Sequence, residues 1–146
     1  MISVSVGVAP FDAAAILGQC ARDGVGALAS FIGIVRGDDG LAALTLEHYP
    51  AMTERALVAL GEQAAARWPL AAVAIHHRVG RLVPGDPIVM IACASAHRSA
   101  ALDACAFLID RLKTDAPFWK REEFINGCSE WVEPRPGDAL AAGRWV

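Results

Sequence analysis

Residues Ile88-Val89-Met90-Ile91-Ala92-Cys93-Ala94 are apolar without a break. A strand with one wet face alternates apolar and polar residues, so an unbroken run of this length reads as a strand covered on both faces. Pro84-Gly85-Asp86 is a turn just before it, and the strand is predicted from Pro87 to Ala96. Such a strand belongs in the middle of a sheet, so the rest of the chain must supply its neighbours and its cover.

The flanking pattern does so. Ile2 to Val8 sets valines between small residues and predicts a half-buried strand. Pro10-Phe11-Asp12 opens a short helix, with Asp12 as N-cap and Ile16, Leu17 and Cys20 inward; Gly24 and Gly26 end it. Gly26 to Arg36 is apolar on both parities, which predicts a second central strand. After the turn Gly37-Asp38-Asp39-Gly40, Leu41 to Tyr49 is a strand, and Pro50 fits the first position of a helix reaching about Trp68. Leu57, Leu60, Ala64 and Trp68 form the inward stripe of that helix.

Leu70 to Val79 is the next strand, and a helix with Ala101, Cys105, Leu108 and Leu112 on one face follows the central run. Phe124-Ile125 and Trp131-Val132 are short closing segments around Asn126-Gly127. Pro134 to Val146 reads as a tail that is mobile unless a partner holds it. Strands mixed with helices over 146 residues predict one α/β domain spanning residues 1–146.

Composition narrows the function classes. The formal net charge is −3, with no basic stripe, which excludes a general nucleic-acid binder. No apolar run reaches the length of a membrane span and no leader pattern opens the chain, so a soluble, cytoplasmic protein is expected. Cys20, Cys93, Cys105 and Cys128 have neither Cys-x-x-Cys spacing nor clustered histidines, so no metal site is expected. His76 and His77 are adjacent on a strand, point to opposite faces and cannot chelate one ion; they read as structural or solvent-facing.

Against this acidic background, basic residues stand at the ends of elements. Lys113 lies near the end of a helix, and Pro117 stops that helix and biases Ala116 toward extended backbone. Lys120 follows on an extended segment, after Phe118 and Trp119. The reversal brings two ammonium groups to one cleft, whereas seven residues of straight strand would hold them roughly 20 Å apart or more.

Ser95-Ala96-His97-Arg98 leads from the central strand into the helix, with Ser95 as N-cap and His97 and Arg98 in the first turn. Cations there oppose the helix dipole unless an anion joins them, so the place suits a phosphate or carboxylate. Arg36, ending a buried strand, is either a snorkelling surface residue or a guanidinium mounted for an anion. Together Arg36, His97, Arg98, Lys113 and Lys120 predict a cleft for an anionic small molecule, an anionic peptide terminus, or both.

Five stretches, in order, resemble the molybdopterin synthase catalytic subunit, the MoaE family. They are Phe31-Ile32-Gly33-Ile34-Val35-Arg36, Leu46-Glu47-His48-Tyr49, His77-Arg78-Val79-Gly80, Ser95-Ala96-His97-Arg98 and Lys113 to Glu122. The resemblance extends from Val4 to about Asp138. It implies an α/β hammerhead with an added small β subdomain, forming a homodimer. A MoaD-type ubiquitin-like sulfur-carrier subunit would dock at each end, giving a heterotetramer. Its C-terminal thiocarboxylate would donate two sulfurs to cyclic pyranopterin monophosphate, forming the dithiolene of molybdopterin.

The resemblance makes Lys113 and Lys120 the catalytic lysines. It makes Arg36, His97, Arg98, Lys113, Lys120 and Glu122 substrate-binding, with Glu122 orienting a cation. Arg135, in the tail, is either a solvated charge or a substrate-binding candidate that reaches a neighbouring subunit. No resident cofactor is implied, because the sulfur arrives on the carrier. Two other classes remain open: a non-catalytic docking scaffold for a ubiquitin-like tail, and a phosphate-binding hydrolase. The hydrolase lacks paired carboxylates or metal ligands in the sequence, and the scaffold has no use for paired lysines.

Overall fold

The computed structural model describes residues 1–132 and 136–145. In chain order the elements are β1 (Ile2–Gly7), α1 (Ala13–Cys20), β2 (Ala27–Ile34), β3 (Leu41–His48), α2 (Pro50–Arg67), β4 (Leu70–Arg78), β5 (Gly80–Leu82), β6 (Pro87–Ser95), α3 (Arg98–Asp115), β7 (Phe118–Phe124), β8 (Ser129–Val132) and α4 (Pro136–Gly143). The strands form two four-stranded sheets, ordered β1-β4-β6-β2 and β5-β3-β7-β8. The fold is the mixed α/β architecture that the pattern predicts.

The unbroken apolar run is β6, and it lies between β4 and β2 as expected. One face of the first sheet carries Val73, Ile75, Val89, Ile91 and Cys93, packed on Leu57 and Leu60 of α2 and Phe107, Leu108 and Leu112 of α3. The other face is lined by Ala72, Ala74, Ala92 and Ala94, on which α1 sets Ile16 and Cys20. Small side chains on that face let a short helix approach closely, and Asp12 caps it by accepting from the Ala15 N–H at 3.1 Å. α2 also comes close to the sheet at Gly61, where a Cβ would lie 2.8 Å from the Ile2 side chain. β1 is the only parallel partner in this sheet, registered Val4 with Ile75 and Val6 with His77.

The second sheet is antiparallel, with β3 between β5 and β7. A smaller core of Val35, Leu46, Val79 and Leu82 joins it to the first, with Phe118 and Ile88 packed on its border. Gly127, at φ 91°, makes the left-handed corner of the β7–β8 hairpin, and the Asn126 side chain accepts from the Cys128 N–H.

Three expectations are corrected. β2 is an edge strand, not a central one. Its second apolar face is not covered by the described residues, since Leu28 is 41% and Ile34 54% exposed. Apolar residues on both parities report that both faces leave water, not which molecule covers them.

Ser95 is not the helix cap. It is wholly buried, donating to the Pro69 carbonyl at 2.8 Å, and the N-cap is His97, whose side chain makes no capping bond. β6 runs through Ser95 and α3 begins only at Arg98, so the Ser95 Oγ accepts from the His97 N–H at 3.5 Å and falls short of the free N–H groups of the helix.

The tail is not loose where it is described. Residues 136–143 form α4, and Trp145 stacks edge-on against Trp68 and Phe107 while its indole donates to Asp110 at 2.7 Å. Arg144 pairs with Asp110 and Arg67 donates to the Trp145 carbonyl, so side chains on two helices hold the segment.

Candidate active site

The lysine stretch folds as its sequence predicts. Lys113 is in the last turn of α3, where the dipole favours a cation. The Ala116 N–H closes the helix on Leu112, and Ala116 itself is extended, at ψ 130°, as the residue before a proline should be. The chain turns directly into β7, whose alternation sends Phe118 and Lys120 to one side and Trp119 to the other.

Lys113 and Lys120 therefore line one cleft, of about 300 Å³, between the two sheets. Phe31, Ile32, Leu46 and Leu112 give it apolar walls, and Arg36 stands at its rim. Arg36 is largely exposed and pairs with Asp38 at 3.5 Å. An exposed pair of this kind is worth little, so an incoming anion competes for the guanidinium at small cost.

The other expected site residues fall elsewhere. Glu122 is one step beyond Lys120 on the same parity of β7, between Leu44 and Glu130, and is not part of the cleft wall. His97 and Arg98 are exposed at the opposite end of α3. Fifteen helical residues at 1.5 Å each put Arg98 roughly 22 Å from Lys113. One chain thus does not gather all five cations into one cleft, which corrects the sequence expectation. Arg135 lies outside the described residues.

The structure adds a residue that sequence reading set aside. His77 is 6% exposed and forms part of the cleft wall with both lysines. Its ring stacks on Phe118 with centroids 4.0 Å apart, and its Nδ1 is 2.7 Å from the Arg78 carbonyl oxygen. Parity was the available signal: His77 shares a strand face with the core residues Val73 and Ile75, so one histidine of the pair had to point inward.

Burial, above all, drives the His77 pKa down to about 4, opposed by the Arg78 hydrogen bond and reinforced by Lys113, Lys120 and His48. The imidazole is therefore neutral at physiological pH.

This has a measurable consequence. Above pH 6.5 the histidine is neutral in both folded and unfolded chains and does not contribute to pH dependence. Between 6.5 and about 4 the unfolded chain takes up a proton that the folded chain refuses, so stability falls with pH across that window. The loss is at most about 3 kcal/mol from His77, and burial of His76 adds a contribution of the same sign. Denaturant titrations at pH 7.5 and 4.5 should show this loss in the parent and a clearly smaller one in His77→Gln. Equal losses in both proteins would contradict the assignment.

Among the described residues no cysteine lines the cleft, and no group of three His, Cys, Asp or Glu side chains is placed to hold a metal. A hydrogen bond with Cys105, and then burial, raise the Cys93 thiol, and Cys20 is raised by burial, so these are core residues. No helix among the described residues is long and apolar enough to cross a membrane.

What remains is a partly apolar cleft with two ammonium groups, a guanidinium and a neutral imidazole, in a chain of net charge −3. It can bind an anion, stabilise negative charge that develops on a bound oxygen, and deliver a proton.

Known proteins resemble this chain over most of its length. The family model described as "MoaE protein" matches residues 6–115. The chain is 54% identical over 125 residues to the molybdopterin synthase catalytic subunit of Pseudomonas aeruginosa, covering 84% of this chain and 83% of that one. The Salmonella typhimurium molybdopterin synthase catalytic subunit is 50% identical over 146 residues, covering 97% of each. Among solved structures, the molybdopterin biosynthesis MoaE protein from Burkholderia ambifaria superposes with a TM-score of 0.85 at 47% identity, over 99% of this chain and 98% of that one.

Proposed function

The chain belongs to the MoaE protein family, and on that premise we propose that it is the catalytic subunit of a molybdopterin synthase. The reaction we assign is sulfur transfer. A MoaD-type ubiquitin-like carrier presents its C-terminal thiocarboxylate, and two such sulfurs pass to cyclic pyranopterin monophosphate to make the dithiolene of molybdopterin. The observation that supports this most directly is the convergence of Lys113 and Lys120 in a cleft with apolar walls and Arg36 at its rim. Both ligands are anions, and both fit that charge.

In this reading Lys113 sits against the thiocarboxylate. The carrier sulfur bonds to a pterin carbon as an oxygen leaves it. Water then adds to the resulting thioester carbonyl, negative charge grows on that oxygen, and the Lys113 ammonium stabilises it. The carbon–sulfur bond then breaks to leave the carrier carboxylate and the sulfur on the pterin. Lys120 holds the pterin or the thiocarboxylate and protonates the leaving oxygen. Arg36 takes part of the substrate's phosphate charge, and Glu122 orients a neighbouring cation. No resident cofactor enters the scheme, since the sulfur is brought by the carrier.

His97 and Arg98 find a place in a homodimer. β2 is an open edge, and Leu28, Phe31, Ile32 and Ile34 are exposed along it. An edge of this kind asks for a partner, and a second copy is the simplest. If two β2 strands meet antiparallel about a two-fold axis, the Ala27 end of one lies against the Ile34 end of the other. Ala27 registers with Ser95, two residues before His97, while Arg36 follows Ile34 by two. The partner's His97 and Arg98 then approach the rim of this chain's cleft, where they complete a phosphate site that one chain leaves unfinished. Arg135 is a further candidate for reaching across.

The deciding experiment incubates the chain with thiocarboxylated carrier and cyclic pyranopterin monophosphate and follows product mass. Addition of two sulfurs to the pterin is the expected result. Carrier binding without any mass change would leave only a docking scaffold, and turnover without the carrier would point to a hydrolase.

A further inference from the structure

We propose that His77 is a positioning residue for the lysine pair, its Nε2 accepting a hydrogen bond from a lysine ammonium in the cleft. Three geometric facts lead there. His77 lies in the same cleft wall as Lys113 and Lys120. The Arg78 carbonyl oxygen, 2.7 Å from Nδ1, can only accept, so Nδ1 carries the hydrogen and donates it. Stacking on Phe118 at 4.0 Å and an interplanar angle of 19° fixes the plane of the ring. With one nitrogen committed to the backbone and the ring held flat, the other has a fixed direction.

The protonation state completes the argument. Burial, with both lysines adding to it, keeps the imidazole neutral at physiological pH, so Nε2 holds a lone pair and no hydrogen. A lysine side chain has four rotatable bonds and a head group that makes no demand on direction, so it needs an acceptor to hold it in place. A carboxylate would do this but would also cancel the positive charge. A neutral imidazole orients the ammonium and leaves its charge available to an anion. This is the pattern in which a residue behind the reacting groups fixes their geometry by its own hydrogen bond to the backbone.

The function of the pair rests on the synthase reading, so the test has one arm that depends on turnover and one that does not. His77→Asn keeps a donor near the Arg78 carbonyl but places nothing at the Nε2 position. His77→Gln puts an amide oxygen near that position, and His77→Phe keeps only the stacked ring.

With saturating thiocarboxylated carrier, kcat should fall about ten- to a hundredfold in the Asn and Phe variants, with KM for the pterin little changed. The Gln variant should recover to within several-fold of the parent. A Phe variant with the parent's turnover, or Gln no better than Asn, would overturn the proposal.

The second arm is the ¹⁵N shift of His77 in the parent protein near pH 7. An unprotonated Nε2 and a protonated Nδ1 are expected, and the reverse tautomer or a doubly protonated ring would also sink the idea. Should the parent make no product at all, the synthase reading fails, and the ¹⁵N result still decides whether His77 presents an acceptor to the lysines.

Discussion

Lys113→Ala should lower sulfur transfer about a hundred- to a thousandfold while leaving the fold and carrier affinity nearly unchanged. The three parts of that expectation have separate causes. Lys113 is exposed in the last turn of α3, so truncating it removes no core packing. Losing a cation from a helix C-terminus costs a few tenths of a kcal/mol, and alanine's helix propensity returns part of it.

In the proposed complex, carrier docking should rest on a surface many residues wide, of which one ammonium is a small share. Catalysis is different in the proposed reaction, because the charge on the carbonyl oxygen exists only in the tetrahedral intermediate and the transition states around it. Removing the donor aimed at that oxygen takes away stabilisation that the ground state never used. Lys113→Arg should rescue poorly, since a planar guanidinium keeps the charge but not the compact head group, and holds its protons. Turnover with saturating thiocarboxylated carrier, measured beside the carrier's affinity, checks all three. An alanine variant within a few-fold of the parent would move the catalytic role to Lys120.

Mixing two impaired variants should restore activity. If each working site takes Lys113 from one copy and Arg98 from the other, dimers of Lys113→Ala alone are inactive at both sites, and dimers of Arg98→Ala are weakened at both. Losing a charge-assisted contact from Arg98 costs about 1.5–3 kcal/mol, or roughly ten- to a hundredfold. A dimer with one copy of each variant carries both lesions in one site and neither in the other.

Random exchange makes half of the dimers mixed, so an equimolar mixture should reach roughly a quarter of the parent activity. The measurement is turnover before and after subunit exchange, with exchange confirmed by mass. If the site is contained in one chain, mixing restores nothing, and the roughly 22 Å that separates Arg98 from Lys113 would then remove Arg98 from the reaction.

The two predictions mark where the sequence is and is not sufficient. The reversal at Ala116-Pro117 was legible because its causes are local: proline bars the helix and restricts the residue before it, and strand alternation then points Phe118 and Lys120 the same way. The cap at Asp12, the start of α2 at Pro50 and the buried run in β6 were legible for the same reason.

Ser95 looked equally local and was not, because it is the last residue of β6, tied to the Pro69 carbonyl 26 residues away, and the helix starts only after His97. His97 and Lys113 bracket a single helix, and its length keeps His97 out of the cleft that Lys113 lines. α4 would be marginal alone at 8 residues; contacts from Trp145 and Arg144 to α2 and α3 give it a place.

Caps, periods and breakers act within three or four residues, and those the sequence determined: the elements, most of their bounds, and the turn that brings the two lysines together. Which strand lies at an edge, which histidine faces the cleft and what covers the second face of β2 depend on contacts between residues far apart in the chain. No window of sequence contains those contacts, because their energy comes from surface removed from water only once the layers have met. That is why β2 shows apolar residues on both faces in sequence, while only the tertiary structure shows that one of them still waits for a neighbour.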